Sequence, residues 1–234
     1  MQKSMIKLLS IADIISIINA IFGFLAILFL LSGLIEDAEI RLRVSFSFIL
    51  VALLIDGFDG VVARKIKRSD IGEHLDSMAD MVSMVIATSL FIFVTYQEYF
   101  NNYVYYQIFL LVALVLFLSF GTIRLASYYL MKDDNFFIGL PAPAGTIILL
   151  ILAFFKIEFI YILPSVIIVG AAMVSNIKFP KPRIRMDSIA TVLIFLTLVV
   201  GKSYYGFAPL LLLIAILLYA IGGPIFIKIL ERGQ

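Results

Sequence analysis

Four aspartates lie close together in an otherwise apolar chain, within the stretch DGFDGVVARKIKRSDIGEHLDSMAD at residues 56–80. They form two pairs, Asp56 with Asp59 and Asp76 with Asp80, spaced by three and four residues. On helices, these spacings place the members of each pair on one face. Each ionised carboxylate in a bilayer costs about 2.5 to 3.5 kcal/mol on insertion scales, so the cluster needs a neutralising partner. Clusters of carboxylate oxygens suit hard divalent cations such as Mg²⁺ or Mn²⁺.

The composition indicates an integral membrane protein rather than a water-soluble globule. Of the 234 residues, 63% are hydrophobic and only 15% are charged, and the mean hydropathy is +1.12. The absence of cysteine excludes thiol catalysis, disulfides and zinc–thiolate sites. The formal net charge of +2 is too small to indicate a nucleic-acid partner.

Apolar runs long enough to cross a bilayer core of roughly 30 Å predict an all-α, polytopic membrane protein with about eight transmembrane helices. The predicted spans are 12–35, 42–63, 74–96, 104–130, 143–157, 158–177, 187–202 and 204–229. Only Lys156 and Glu158 separate the fifth span from the sixth. The first span is too long for the apolar region of a signal peptide, so we expect a retained helix. No repeat or soluble segment is visible, and we expect one domain over residues 1–234.

The lysines and arginines of the loops predict the orientation in the membrane. With the N-terminus inside, the cytoplasmic side holds Lys3, Lys7, Lys65, Lys67, Arg68, Lys132, Lys178, Lys181, Arg183, Arg185, Lys228 and Arg232. The opposite side holds only Arg41, Arg43, Lys156 and Lys202. Because cytoplasmic loops carry the excess of positive charge, we expect a multi-pass cell-membrane protein with both termini in the cytoplasm. A metal site at the ends of the second and third helices then faces the cytoplasm.

Small residues and an arginine accompany the aspartates. Gly60 and Ala63 leave room for a ligand to approach the backbone, and the fork-shaped charge of Arg64 suits a phosphate. Two facing carboxylate pairs can hold two metal ions. Carboxylates, divalent metals and an arginine together indicate phosphoryl transfer.

The order and spacing of these residues resemble those of the CDP-alcohol phosphotransferases. These membrane enzymes exchange the CMP of a CDP-linked lipid or alcohol for another hydroxyl compound. The matching pattern is Asp56-x2-Asp59-Gly60-x2-Ala63-Arg64-x7-Gly72-x3-Asp76-x3-Asp80. Further stretches resemble the branch of the family that uses serine as the acceptor, and they are LDSMAD at 75–80, GTIRLASYYL with FFIGLPAPAG within 121–145, and MVSNIKFPKP at 173–182.

The resemblance implies a role for each motif residue. All four aspartates would hold two divalent cations, Mg²⁺ or Mn²⁺, and Asp80 would also accept the proton of the serine hydroxyl. The activated lipid would be CDP-diacylglycerol or an archaeal CDP-linked ether lipid. Its binding residues would be Asp56, Gly60, Ala63, Arg64 and Gly72. A homodimer surrounded by membrane lipids is a further expectation from the family.

L-Serine brings a carboxylate and an ammonium group, so we expect a cation near the metal centre. Arg124 is the first candidate, although it can instead pair with a motif aspartate or anchor its helix at the headgroups. Further candidates are Lys178 and Arg185, which also belong to the positive-inside signal, and Asn135, which can instead shape its loop.

Two polar residues near the motif have two interpretations each. Asn19 in the first span either lines the nucleotide pocket or forms a hydrogen bond between helices. Ser77 either contacts a phosphate or caps the third helix.

Two other functions fit parts of the pattern. A sister enzyme of the same family would transfer to glycerol phosphate, inositol phosphate or another alcohol. A cation transporter or channel would also use carboxylates within the membrane, but it would place them along a path open to both sides. Here they are predicted at one membrane face beside Arg64, where an arginine opposes the passage of cations.

Overall fold

The computed structural model describes residues 9–63, 69–101, 104–131, 136–181, 184–201 and 203–232. Over these residues the chain forms nine α-helices and two short β-strands. The helices are α1 (Ile11–Leu31), α2 (Ala38–Ala63), α3 (Gly72–Asp80), α4 (Ala87–Thr95), α5 (Val104–Ser127), α6 (Ala142–Phe154), α7 (Phe159–Met173), α8 (Ile184–Val200) and α9 (Ser203–Arg232). A π-helical segment, Met81–Ile86, joins α3 and α4 into one continuous helix, and a 3₁₀ turn, Gln97–Asn101, follows.

Within the described residues, four helices are long and apolar enough to cross a membrane. They are Ile11–Leu31, Gly72–Thr95, Val104–Ser127 and Gly206–Ile229. Three shorter apolar helices accompany them, Ala142–Phe154, Phe159–Met173 and Met186–Val200. The predicted class, a helical membrane protein, is therefore confirmed. The helices follow the eight predicted segments closely, but eight membrane crossings stay a prediction.

Side-chain caps explain where the first two helices begin. At the start of α1, the hydroxyl of Ser10 accepts from the amide of Asp13, and the Asp13 carboxylate accepts from the Ser10 amide. Before α2, the Asp37 carboxylate accepts from the amides of Glu39 and Ile40, at 2.7 and 3.0 Å. These backbone hydrogen bonds hold the pKa of the Asp37 carboxyl below its usual value.

Helix α6 lies at the centre of the molecule. It has only 13 residues, and eleven of them are buried. A helix that is almost entirely apolar, as this one is, can be buried on every side. It packs against α2, α4, α7 and α9. One contact is a stacked pair of rings from Phe46 of α2 and Phe154 of α6, whose centroids are 3.9 Å apart. The helix that carries Asp76 and Asp80 is therefore supported by a packed core.

The two strands form a small antiparallel ribbon, which the all-α prediction missed. Strand β1 (Phe136–Ile138) pairs with β2 (Lys178–Pro180), with Phe137 opposite Phe179. Gly139 directly follows β1 with a φ of 78°, which favours glycine, and its amide donates to the carbonyl of Ile177. A side chain at Gly139 would also overlap the carbonyl oxygen of Met173. The ribbon therefore joins the segment before α6 to the segment after α7.

Replacing Gly23 with alanine is expected to destabilise the fold. A Cβ atom at Gly23 of α1 would overlap the Cα of Ser83 in the π-helical segment and lie 2.7 Å from its Cβ. The two backbones must then separate, and we expect a loss of about 1 to 3 kcal/mol. The measurement is the midpoint of thermal unfolding in detergent. Gly222→Ala is the matched control, because Gly222 is also helical and nothing lies within 4 Å of a Cβ there. Equal midpoints for the two variants would contradict the close packing of α1.

Candidate active site

Three of the four motif aspartates converge. Asp56 lies on α2, and Asp76 and Asp80 lie four residues apart on α3. Each offers a carboxylate oxygen, and these oxygens all lie within 4.8 Å of one another. All three residues are half-buried. The two helices therefore bring together carboxylates that are at least 20 residues apart in the sequence, as the helical spacing predicts.

The three carboxylates fit a divalent cation. Carboxylate groups this close repel one another, and a cation among them would offset that repulsion. Carboxylate oxygens are also the ligands that Mg²⁺ and Mn²⁺ prefer. A further oxygen is available nearby, because Oδ1 of Asn19 is buried and has no hydrogen-bond partner among the described residues. The triad can hold a metal ion; the identity and number of ions stay predictions.

Asn19 links α1 to the triad. Its side chain is only 1% exposed, and its Nδ2 donates to Oδ1 of Asp80 at 3.0 Å. This contact confirms the predicted hydrogen bond between helices and gives it a partner in the motif. It restricts the rotation of the Asp80 carboxylate. A contact between Asn19 and the nucleotide stays a prediction.

The π-helical segment begins directly after Asp80. A π-helical turn widens the helix and disturbs its regular hydrogen-bond pattern. The carbonyl of Met84 in this segment accepts from the hydroxyl of Thr146 on α6, at 3.1 Å. Both side chains are buried. This hydrogen bond fixes the helix that carries Asp76 and Asp80 to the central helix.

The end of α5 lies beside the triad. Tyr129, in the turn after α5, donates from its hydroxyl to Oδ2 of Asp76 at 2.8 Å. Ser77 donates to the carbonyl of Glu73 at 3.2 Å, and its hydroxyl lies 3.5 Å from the carbonyl of Leu125 on α5. Ser77 does not cap α3, whose N-cap residue Ile71 makes no side-chain hydrogen bond, so that alternative is wrong. A phosphate contact for Ser77 stays a prediction.

Arg124 is a buried cation near this end of α5. Its side chain is 6% exposed, its Nε donates to the carbonyl of Leu140 at 3.3 Å, and its guanidinium lies 5.2 Å from the ring centre of Tyr128. Pairing with a motif aspartate is not observed among the described residues. A buried guanidinium held by a carbonyl and a ring retains donors for an anionic ligand.

Two lysines lie along the β-ribbon. The Lys178 ammonium is 4.6 Å from the ring centre of Phe136, and that of Lys181 is 5.6 Å from the ring centre of Phe137. The Phe137 ring in turn contacts the ring of Tyr128, with 6.0 Å between centroids. The ribbon and the Arg124 region therefore form one continuous wall.

Several predicted site residues have no described contacts. Arg64 and Asn135 lie outside the described residues, as do the side chains of Asp59, Ala63 and Arg185 and the burial of Gly60. Gly72 is buried as the first residue of α3. Sequence reasoning did not single out Tyr129. For Tyr129 the only available signal was its place next to Tyr128, within a stretch that carried the family resemblance.

Comparison with known proteins identifies the family to which the chain belongs. Residues 9–177 match the model of the CDP-alcohol phosphatidyltransferase family. The chain belongs to this family, which confirms the resemblance and makes the protein a transferase. Family membership and the four membrane-length helices found in the described part of the chain together identify a multi-pass membrane protein.

Curated relatives of the chain carry more particular names. A CDP-diacylglycerol–serine O-phosphatidyltransferase of Methanocaldococcus jannaschii is 34% identical over 178 residues, which cover 75% of this chain and 76% of the relative. One of Helicobacter pylori is 32% identical over 64% of this chain and 68% of the relative. An archaetidylserine synthase of Methanothermobacter thermautotrophicus is 28% identical over 77% of this chain and 73% of the relative.

Proposed function

We propose that this protein transfers the phosphatidyl or archaetidyl group of a CDP-activated lipid to the hydroxyl of L-serine and releases CMP. The observation that carries the proposal is the convergence of Asp56, Asp76 and Asp80 in a member of this family. The names of the relatives support serine as the acceptor, because the two CDP-diacylglycerol–serine O-phosphatidyltransferases and the archaetidylserine synthase all name it. CDP-diacylglycerol and its archaeal ether analogue are the two candidate donors.

In this proposal the motif binds the activated lipid. Asp59 completes the set of Asp56, Asp76 and Asp80, which together would hold two divalent cations, Mg²⁺ or Mn²⁺. When bound, these ions supply positive charge against the diphosphate of the donor. Arg64 binds a phosphate oxygen, and the lack of side-chain bulk at Gly60, Ala63 and Gly72 leaves room for the nucleotide. Asn19 and Ser77 border this donor pocket.

Asp80 acts as the general base. Asn19 donates to Oδ1 of Asp80 and so orients the carboxylate that accepts the proton of the serine hydroxyl. The serine oxygen forms a bond to the lipid-side phosphorus while the bond from this phosphorus to the bridging oxygen breaks. CMP leaves with the bridging oxygen, and the lipid phosphate becomes a diester with serine. Proton transfer accompanies the attack, because a carboxylate is too weak a base to generate free alkoxide.

The wall formed by the end of α5 and the β-ribbon binds serine. Arg124 receives the serine carboxylate, and Lys178 adds a second positive charge on the ribbon. Arg185 and Asn135 complete the candidate set. The burial of Arg124 and its lack of a carboxylate partner among the described residues support this assignment.

Replacing Arg124 with alanine is expected to raise the KM for serine by about 10- to 100-fold, which corresponds to the 1.5 to 3 kcal/mol typical of a hydrogen bond to a charged group. The KM for the CDP-lipid should change little, because the donor binds at the motif. Initial rates of CMP release at varied serine and varied lipid separate the two constants. Arg43→Ala is the control, since Arg43 is exposed and already paired with Glu39. An unchanged KM for serine in Arg124→Ala would remove Arg124 from the acceptor site.

The membrane arrangement is part of the proposal. A single domain over residues 1–234 crosses the cell membrane eight times, with both termini and the metal site at the cytoplasmic face. The twelve basic residues predicted on that side, against four on the other, support this orientation. The proposal includes a homodimer, on family resemblance alone.

An acceptor panel tests the proposed function. Purified protein is given CDP-diacylglycerol or a CDP-linked ether lipid with Mg²⁺ or Mn²⁺, and CMP release is measured with serine, glycerol 3-phosphate or inositol phosphate. We expect CMP release with serine and none with glycerol 3-phosphate or inositol phosphate. Release with glycerol 3-phosphate or inositol phosphate would instead make the protein a sister enzyme. Metal binding without release on any acceptor would contradict the enzymatic function.

A further inference from the structure

The hydrogen bond from Tyr129 to Asp76 joins two parts of the site that are distant in the sequence. Tyr129 lies in the turn after α5, and Asp76 lies on α3, 53 positions earlier. The donor–acceptor distance of 2.8 Å is typical of a hydroxyl donating to a carboxylate. Both residues are half-buried, which limits competition from water. Tyr129 is not part of the aspartate motif.

A hydrogen bond of this kind orients a metal ligand. Carboxylates that bind metals are commonly held by a second hydrogen-bonded group, which fixes their rotation. Without the Tyr129 hydroxyl, the Asp76 carboxylate loses one of the contacts that fix its rotation. The triad would then form less often, and a cation would bind more weakly.

The contacts of Tyr129 connect Asp76 to the wall formed by the end of α5 and the β-ribbon. The rings of Tyr128 and Tyr129 meet edge to face, with centroids 4.9 Å apart, and Tyr128 lies under the Arg124 guanidinium. One turn of chain therefore contacts Asp76 on one side and Arg124 on the other. Its hydrogen bond to Asp76 helps to fix where Arg124 lies relative to the triad.

We propose that Tyr129 is a positioning residue, which holds the Asp76 carboxylate in the orientation that binds the divalent cation. This inference rests on the proposed function, since it requires a metal site at the triad. Tyr129 adds a residue from the turn after α5 to a metal site whose other residues lie on α1, α2 and α3.

Mn²⁺ binding to the purified full-length protein, without substrates, tests the role of Tyr129. We expect Tyr129→Phe to raise the Kd for Mn²⁺ by about 10- to 100-fold, as is typical when the group that orients a metal ligand is removed. Isothermal titration calorimetry or the electron paramagnetic resonance signal of free Mn²⁺ measures the Kd. Tyr96→Phe is the matched control, because it removes a buried tyrosine hydroxyl that donates to the Ile157 carbonyl at 2.6 Å, past the far end of α4. It should lower the unfolding midpoint and leave the Kd unchanged.

Asp76→Asn separates the two proposals. If wild-type protein binds Mn²⁺ and Asp76→Asn binds it weakly, a wild-type Kd in Tyr129→Phe overturns the role of Tyr129 and leaves the proposed function standing. If wild-type protein does not bind Mn²⁺, the metal site fails, and the role of Tyr129 fails with it.

Terbium luminescence gives a second measurement that needs no variant. The chain has no tryptophan, so emission of bound Tb³⁺ that is excited in the tyrosine absorption band, beyond that of phenylalanine, comes from tyrosine. We expect wild-type protein to show this emission and Mn²⁺ to displace it. Tb³⁺ that competes with Mn²⁺ but shows no tyrosine-excited emission would overturn the placement of Tyr129 beside the metal.

Discussion

The Asp80→Asn variant is expected to release CMP about 10² to 10⁴ times more slowly than the wild type, the range typical for loss of a general base. The amide cannot accept the proton of the serine hydroxyl. Its oxygen can still accept from Asn19, so the position of the side chain is kept. We therefore expect the CDP-lipid to bind with little change, provided that the metal concentration is saturating.

Two measurements on Asp80→Asn separate catalysis from binding. Initial rates of CMP release at saturating Mn²⁺ and serine report turnover, and titration with labelled CDP-lipid reports affinity. Glu73→Gln makes the same carboxylate-to-amide change at an exposed position of the same helix, and it should retain wild-type turnover. Near-wild-type turnover in Asp80→Asn would remove Asp80 as the base.

Removing divalent cations is expected to abolish transfer completely. Three carboxylates within 4.8 Å of one another repel when no cation lies among them, and the diphosphate of the donor adds more negative charge. Chelation with EDTA followed by dialysis should eliminate CMP release. Mg²⁺ or Mn²⁺ should restore it.

The requirement for metal can be traced to the triad with a variant. Asp56→Asn removes one of the three charges, and it should need a higher Mn²⁺ concentration for half-maximal rate. Asp37→Asn is the control, because Asp37 is an exposed carboxylate that caps α2 and lies outside the triad. Undiminished CMP release after chelation would contradict a metal-dependent site.

The convergence of the aspartates was predictable because it depends on local rules. A spacing of four residues places Asp76 and Asp80 on one face of α3. When a short polar segment joins two membrane-crossing helices, the end of the first and the start of the second lie at the same membrane face. The break between α6 and α7 also followed from the sequence, since Lys156 and Glu158 interrupt an apolar run.

The contacts that surround the triad could not be predicted in the same way. Tyr129 reaches Asp76 across 53 positions, and Asn19 reaches Asp80 across 61, so both contacts depend on how whole helices pack. The residues MVSMVI of the π-helical segment are apolar except for Ser83, and they contain no proline or glycine to mark a change of helix type. Strands of three residues, such as β1, are too short to show an alternating pattern.

The most direct test of the central claim uses serine labelled with oxygen-18 in its hydroxyl group. Purified protein converts the labelled serine and CDP-lipid in the presence of Mn²⁺, and mass spectrometry measures the label in the lipid product and in CMP. Attack of the serine oxygen on the lipid-side phosphorus predicts a serine-linked phospholipid that retains the label and CMP that lacks it. Label in CMP, or no serine-linked lipid at all, would contradict the proposed transfer.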